Sequence, residues 1–123
     1  MTETTHRHPF LDDLGDDVAL TSSVLRQPAR GRDTVLKIVK AGASQYTSQT
    51  PRFLGHLGAR SYFEYDVDLV GGGKAVGLVA IHRDDAGKVT DLHIAFSPLG
   101  SVLALAAGVR DTLVADLGPD LFL

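Results

Sequence analysis

The 123-residue sequence contains no cysteine, carries little net charge and has no long apolar run. Without cysteine, the chain can form neither disulfides nor a thiolate nucleophile or cysteine metal cluster. Its net charge of −3 does not indicate the basic surface that binds nucleic acid. No apolar stretch approaches the roughly 20 residues that span a bilayer, and the polar start, Met1–His8, lacks the apolar core of a signal peptide. We therefore expect a cytoplasmic protein that binds neither nucleic acid nor membrane.

Length and composition predict one globular domain. Apolar residues make up 44% of the chain and charged residues 22%, which is ordinary for a globular protein. A chain of this length can bury a substantial hydrophobic core. We predict a flexible tail over residues 1–7 and a single domain over residues 8–123.

The centre of the chain predicts three antiparallel strands joined by two tight turns. Apolar and polar residues alternate over Ser61–Val70, which is typical of a strand with one buried face. Three glycines, Gly71–Gly73, turn the chain into Lys74–Arg83, which is mostly apolar, as in a strand that is covered on both faces. A second turn at Asp84–Gly87 leads into the third strand, Lys88–Phe96.

Two helices are predicted to cover this sheet. Asp33–Tyr46 carries apolar residues at spacings of three and four, which indicates one buried helical stripe. Ser97 and Pro98 form a helix start, and Gly118 with Pro119 ends the helix that they begin. Gly108, inside this second helix, is unfavourable there and suggests a close contact.

The remaining segments predict shorter elements. Pro9–Leu14 is predicted to be a short helix and Val18–Val24 a strand. After a polar break at Thr47–Pro51, Arg52–Leu57 is predicted to be a further short strand. We expect the apolar end, Leu121–Leu123, to pack on its own domain or on a partner chain.

Three local patterns resemble one known family. They are His8–Leu14 followed by Asp16–Leu20, the Arg-Gly-Arg start of Arg30–Val35, and the turn Asp85–Val89. Their order resembles the cone-shaped α+β domain of the nuclear transport factor 2-like superfamily, in its SnoaL-like branch of polyketide cyclase-like and ketosteroid isomerase-like proteins. The resemblance, over residues 8–117, implies a curved antiparallel sheet packed on helices to form a cone. Relative to that family, the N-terminal helix is shortened and the C-terminal helix is long.

Family members bind their ligand inside the cone, so the inward face of the sheet matters most. A hairpin centred on Gly72 pairs Tyr65 with Val79, and the next hairpin pairs Val79 with Leu92. One face then carries mainly apolar residues: Phe63, Tyr65, Val67, Gly77, Val79, Ile81, Thr90, Leu92, Ile94 and Phe96. The opposite face carries Glu64, Asp66, Asp68, Val76, Leu78, His82, Asp91 and His93. We expect the first face to line the core and the pocket.

From this face and its neighbours we predict the residues that bind a ligand. Hydroxyl groups among apolar walls are typical of a small-molecule site. The predicted set is Ser22, Tyr46, Tyr65, Val79, Thr90, Leu92, Ile94 and Phe96. The alternative is that these residues form a filled core.

Catalysis is not implied by the residues at the family's catalytic positions. Aligned by pattern, the carboxylates of ketosteroid isomerases fall at Ser22 and Val79, and that of the SnoaL cyclases falls near Ile94. A one-residue slip of the strand would instead turn Asp66 and His93 inward as an acid–base pair. The catalytic candidates are Asp66, His93 and His56. His56 lies on a short strand whose facing is uncertain. We predict no metal, because no ligand-spaced cluster of histidines and carboxylates is present. We also predict no cofactor.

Three functions remain open. The first is binding of a small, mostly apolar molecule in the cone, and the second is a cyclase, isomerase or hydrolase that uses general acid–base chemistry. The third is a dimeric interaction module with a filled core. The outer face of the sheet has an apolar centre with a polar rim, which is typical of protein contacts. We expect a homodimer through this centre, which comprises Val76, Leu78, Ala80 and Ala95.

Overall fold

The computed structural model describes residues 9–123. The predicted tail over residues 1–7 and the histidines at positions 6 and 8 lie outside the described residues. In chain order the elements are a short 3₁₀ helix (Pro9–Asp13), β1 (Leu14–Ser22), β2 (Ala29–Arg30), α1 (Arg32–Ala43), β3 (Tyr46–Leu57), β4 (Arg60–Leu69), β5 (Lys74–Arg83), β6 (Val89–Ser97) and α2 (Leu99–Leu117). The single-domain span stays a prediction.

The six strands form one sheet in the order β2-β1-β6-β5-β4-β3. All neighbouring pairs are antiparallel except β1 and β6, which run parallel. The predicted antiparallel sheet is therefore a mixed sheet. Hairpin-connected strands must be antiparallel, but β1 and β6 are separated by most of the chain, so no tight turn constrains their direction.

The two central hairpins differ from the prediction in register, but their side chains lie on the predicted faces. Tyr65 lies opposite Gly77, and Val79 lies opposite Ile94, so each hairpin is shifted by two residues from its predicted pairing. Because side chains alternate with a period of two, a shift of two leaves every residue on its predicted face. Tyr65 and Val79 are accordingly buried, and the alternative strand facing, which required a shift of one, is wrong.

Thr90 is the exception, and its predicted inward facing is wrong. The β5–β6 ladder has an irregularity between His82 and Arg83, and Val89 rather than Thr90 is fully buried beside it. The Thr90 hydroxyl lies 3.3 Å from the carbonyl oxygen of His82 and the same distance from an Asp91 carboxylate oxygen. Thr90 thus lies with the outer-face residues, because a bulge reverses the alternation at this point.

Strand β3 is longer than predicted. It runs without a break from Tyr46 to Leu57, so the polar break and the separate short strand are wrong. Pro51 is tolerated because β3 is an edge strand, whose free side needs no amide donor. The ladder with β4 shifts between Pro51 and Phe53, which indicates a bulge at Arg52.

Several predicted element ends also move. Helix α1 stops at Ala43, and β1 begins at Leu14 rather than at Val18. Ser97 does not start α2, because it still pairs with Val76 in the β5–β6 ladder, and the helix begins at Leu99. Gly118 ends α2 with a positive φ of 79°, as its position after the helix predicted.

The helices cover one half of the sheet. Helix α1 packs on β1, and α2 packs on β5, β6 and α1. Gln45 lies against Gly108 of α2, where a methyl group would come within 2.3 Å of the Gln45 Oε1 atom, so the predicted close contact is confirmed. Phe122 is buried, and the Arg26 amide donates to the Leu121 carbonyl at 2.8 Å, so the apolar C-terminus packs on its own chain.

No described helix is long and apolar enough to cross a membrane. The cytoplasmic location stays a prediction.

Candidate functional site

An open cavity of about 500 Å³ lies against the half of the sheet formed by β3, β4 and β5. Most of its lining surface is apolar. The apolar and aromatic lining residues are Phe10, Pro51, Phe53, Leu54, Phe63, Tyr65 and Ile81. The volume falls within the range of roughly 300–1,000 Å³ that is typical of small-molecule sites.

Aromatic rings form one wall of this open cavity. The ring centroids of Phe10 and Phe63 are 6.0 Å apart, and those of Phe63 and Tyr65 are 5.9 Å apart. Phe63 and Tyr65 lie two residues apart on β4, so they share the inward face of the strand. The 3₁₀ helix brings Phe10, which is buried, onto the same cluster. Such rings offer a large apolar contact surface at little cost in conformational entropy.

Polar residues occupy the rest of the lining. They are Gln49, Arg52, His56, Ser61, Glu64 and Arg83. The Arg83 guanidinium donates to Asp13 and to the Gly87 carbonyl, both at 2.8 Å. Arg52 lies 3.6 Å from an Asp66 carboxylate oxygen. Both arginines therefore already have anionic partners, so they do not make the cavity a strong anion site.

His56 and Ser61 form a hydrogen-bonded pair on the cavity side. The two residues lie opposite each other in the β3–β4 hairpin, and the His56 Nδ1 atom is 2.7 Å from the Ser61 Oγ atom. Ser61 is two residues from Phe63 on β4, so the pair shares the inward face. A bond at Nδ1 orients the imidazole ring and leaves Nε2 as its second functional nitrogen.

Tyr65 separates the open cavity from a second, buried cavity. It lines both spaces, and its hydroxyl lies 3.2 Å from the Tyr46 hydroxyl. Burial raises the pKa of both phenols above the ordinary range, so both stay neutral at physiological pH. Gly77 makes room for the ring, because a methyl group there would lie 2.5 Å from the Tyr65 Cζ atom.

The buried cavity has a volume of about 40 Å³ and lies under the two helices. Five of the residues predicted to bind a ligand line it, namely Ser22, Tyr46, Tyr65, Ile94 and Phe96. This volume holds a few water molecules at most, since each needs roughly 10–15 Å³ of such space. The Ser22 hydroxyl accepts a hydrogen bond from the Val24 amide at 3.3 Å. These residues, Tyr65 excepted, therefore surround a nearly filled core.

The other predicted residues lie elsewhere. Val79 and Leu92 are buried in the core and line neither of these two cavities. Thr90 lies on the outer side, as described above. Of the predicted ligand-binding residues, only Tyr65 reaches the open cavity, where the catalytic candidate His56 joins it.

The two outer-face candidates, Asp66 and His93, do not form a pair. Asp66 aligns across β5 with Ser97 of β6, whereas His93 aligns with Tyr62, four residues before Asp66 on β4. Asp66 instead faces Arg52 of β3. Nearby, hydrogen bonds from Lys74 and Ser48 lower the pKa of the Asp68 carboxyl. Asp66 with Arg52 and Asp68 with Lys74 therefore form solvated ion pairs. Within residues 9–123 no cluster of three potential metal ligands occurs.

Sequence reasoning missed most of the open cavity. Its lining includes Ser61, Leu54 and Arg83, which were not candidates. Glu64 lines it too, although its register position opposite Leu78 confirms the predicted outer face. One signal was present, since a two-residue turn at Gly58 and Ala59 pairs His56 with Ser61. The bulge at Arg52, which lines the cavity, leaves no comparable signal in the sequence.

No protein-family model matches the sequence, and no curated protein sequence matches it significantly. Solved structures, in contrast, match closely. One is a protein with a cystatin-like fold from Silicibacter pomeroyi, with a TM-score of 0.80 and 20% identity over 87% of this chain and 75% of that one. Another is a steroid delta-isomerase from Pseudomonas aeruginosa, with a TM-score of 0.79 and 19% identity over 89% of this chain and 80% of that one.

A SnoaL-like family protein from Agrobacterium tumefaciens also matches, with a TM-score of 0.57 and 9% identity over 72% of this chain and 78% of that one. Proteins described as NTF2-like are among the other matches. The chain therefore has the nuclear transport factor 2-like α+β cone fold. It shares that fold with SnoaL-like and steroid isomerase proteins, which confirms the predicted resemblance at the level of the fold.

Proposed function

We propose that this protein binds a small, mostly apolar molecule in the open cavity. The observation that carries the proposal is a space of about 500 Å³ whose lining surface is mostly apolar, in a chain of 123 residues. An apolar pocket with a few placed polar groups is the usual form of a small-molecule site. The steroid delta-isomerase with the same fold is a precedent for a small-molecule function, although a shared fold does not transfer activity.

The position of the polar groups supports the same proposal. Tyr65, which is neutral, and the His56–Ser61 pair lie on the inward face that also carries Phe63. A ligand with one polar group could meet a hydrogen-bonding partner there while its apolar part contacts the aromatic wall. Burial of one Leu-sized group contributes about 1.5–3 kcal/mol, so a compact apolar ligand would gain several such increments.

The test is binding of N-phenyl-1-naphthylamine, a neutral apolar dye whose fluorescence rises in an apolar environment. Leu54 lines the cavity on the edge strand and is 63% exposed, so Leu54→Trp should fold and place a ring in the opening. The matched control is Leu57→Trp, because Leu57 lies on the same strand, is 79% exposed and does not line the cavity.

We expect wild type and Leu57→Trp to bind the dye equally. Leu54→Trp should bind it about tenfold more weakly, which corresponds to ~1.4 kcal/mol of lost contact. Equal binding by the two tryptophan variants would place the dye elsewhere and contradict the proposal. Absence of dye binding by the wild type would contradict it as well.

We also propose that two copies associate through the outer face of the sheet. Leu78 is 43% exposed at the centre of this face, and Tyr62 beside it is 38% exposed. Ionic groups, including Asp66, Asp68 and His82, surround this apolar centre, as in many protein interfaces. Sedimentation equilibrium tests this proposal with Leu78→Lys, which should give monomers, against Leu103→Lys on α2, which should not. A monomeric wild type would contradict it.

A further inference from the structure

We infer that His56, positioned by Ser61, is a general base at the opening of the cavity. The inference rests on the proposed function, because it requires a substrate that binds in the open cavity. It places proton transfer on the β3–β4 hairpin, away from the positions at which the family resemblance would place carboxylates. The substrate class is a small, mostly apolar molecule that reacts by losing a proton.

The first support is the geometry of the pair. The distance of 2.7 Å between His56 Nδ1 and Ser61 Oγ is that of a good hydrogen bond. Within residues 9–123, the His56 ring makes no second hydrogen bond. When Nδ1 carries the proton and donates to Ser61, Nε2 has a free lone pair and can accept a proton.

The second support is the position of the pair relative to the apolar wall. His56 and Ser61 both line the cavity. Leu54 lies two residues before His56 on β3 and Phe63 lies two residues after Ser61 on β4, so alternation places all four side chains on the same face. An apolar molecule against Phe63 would therefore lie next to the imidazole. A base must come within hydrogen-bond reach of the proton that it removes, and this arrangement brings the two together.

The third support is the contrast with the other candidate groups. The His82 Nδ1 atom lies 3.7 Å from an Asp91 carboxylate oxygen on the outer side of the sheet, and His93 lies on that side as well. At the positions implied by the family resemblance, Ser22 and Val79 cannot act as bases at neutral pH. Glu64 lines the cavity, but its register position opposite Phe53 and Leu78 puts it on the outer face.

The test reaction is the elimination of 5-nitrobenzisoxazole, a compact aromatic probe that needs only a base. The C–H bond at carbon 3 breaks, and its proton goes to Nε2 of His56. The electron pair of that bond completes a nitrile, the N–O bond breaks, and the oxygen leaves as a coloured 2-cyano-4-nitrophenolate. The imidazolium then returns its proton to water, so no further reactant is needed.

We expect His56→Gln to lower kcat/KM by about 10²-fold, the usual contribution of a positioned base. His93→Gln, a histidine change on the outer face, should leave kcat/KM unchanged. The other charged groups at the cavity are Arg52, paired with Asp66, Arg83, paired with Asp13, and Glu64. A loss of kcat/KM in Glu64→Gln that equals the loss in His56→Gln would mean that the carboxylate, and not the imidazole, is the base.

Ser61 is a positioning residue, so its variants should affect kcat more than KM. Ser61→Ala should lower kcat with little change in KM, and Ser61→Thr, which restores a hydroxyl, should recover most of the loss. Because both positions lie near the hairpin turn, we expect these variants to fold, and their melting curves check this. If Ser61→Ala and Ser61→Thr lose activity equally, the hydrogen bond does not position the base.

Dye binding separates the two proposals. If His56→Gln binds N-phenyl-1-naphthylamine like wild type and loses elimination activity, the inference is supported. If it binds the dye and keeps its activity, His56 is not the base, while the binding proposal stands. A wild type that binds the dye but does not accelerate elimination above buffer also overturns the inference. A wild type that does neither overturns both.

Discussion

The two cavities of this protein differ because only one half of the sheet is covered by long helices. The buried cavity lies between β1, β6 and the two helices, and its volume is only about 40 Å³. The open cavity lies against β3, β4 and β5, where the 3₁₀ helix supplies Phe10, and it keeps about 500 Å³. Tyr65 lines both. The comparison shows that hydroxyl groups on an inward face do not by themselves mark a ligand site, since packing decides whether space remains beside them.

The largest difference between the halves should appear when a leucine is removed from each. Leu105 on α2 is 2% exposed and lines the buried cavity, so Leu105→Ala should lower the free energy of unfolding by about 2–5 kcal/mol. Leu54→Ala, at a 63% exposed cavity residue, should change it by less than about 0.5 kcal/mol. Urea denaturation measures both changes. Similar losses of unfolding free energy at the two positions would show that the residues around the open cavity are packed as tightly as those around the buried cavity.

The boundary between the halves can be disturbed at Gly77. In Gly77→Ala the added methyl group would meet the Tyr65 ring at 2.5 Å, and moving that ring should lower the free energy of unfolding by about 1–3 kcal/mol. Gly73→Ala, in the turn between the same two strands, meets nothing closer than 3.6 Å and serves as the control. Dye binding should also change in Gly77→Ala, because Tyr65 lines the open cavity. An effect no larger than that of the control would mean that the ring moves freely.

A smaller effect should follow from the tyrosine pair. Tyr46→Phe removes the hydrogen bond to Tyr65 and should lower the free energy of unfolding by about 0.5–1.5 kcal/mol. The double variant with Tyr65→Phe should lose less than the two single losses combined, because only one bond is shared. Tyr62→Phe, on the outer face, is the control. Strictly additive losses would argue that the two hydroxyls do not interact.

The same pair predicts how stability depends on alkaline pH. Burial raises the pKa of both phenols in the folded protein, whereas in the unfolded chain they ionise near pH ~10. Their contribution to stability is therefore complete below about pH 10 and is lost as the pH rises above it. Urea midpoints measured across this range should fall less steeply for Tyr46→Phe than for the wild type.

Much of the fold could be predicted from local patterns. The alternation over Ser61–Val70 correctly assigned the faces of β4, and even a register error of two residues left those faces intact. The spacing of apolar residues located both helices, and Gly118 located the end of α2. These features depend on residues a few positions apart, for which periodicity and turn chemistry are sufficient evidence.

The candidate site could not be predicted in the same way. Tyr46, Ser22 and Ile94 were expected to contact a ligand, yet they surround a space too small for one. The lining of the open cavity includes Phe10, which contacts Phe63, and Arg52, which lies at the bulge of β3. Neither feature follows from a local pattern. Thr90 shows the same limit, because one irregularity in the ladder reversed its facing.

By itself, then, the sequence determined the order of the elements other than the two-residue strand β2, which lies in a segment with no strand pattern. It also determined the inward and outward faces of the central strands and the lack of carboxylates on the inward face. These follow from side-chain periodicity, which acts over a few residues. Only the tertiary structure decided which half of the cone stays open, that β1 runs parallel to β6, and that His56 and Ser61 line the remaining space beside Phe63. Those outcomes depend on how distant segments pack and how much volume they leave, and no local pattern encodes a volume.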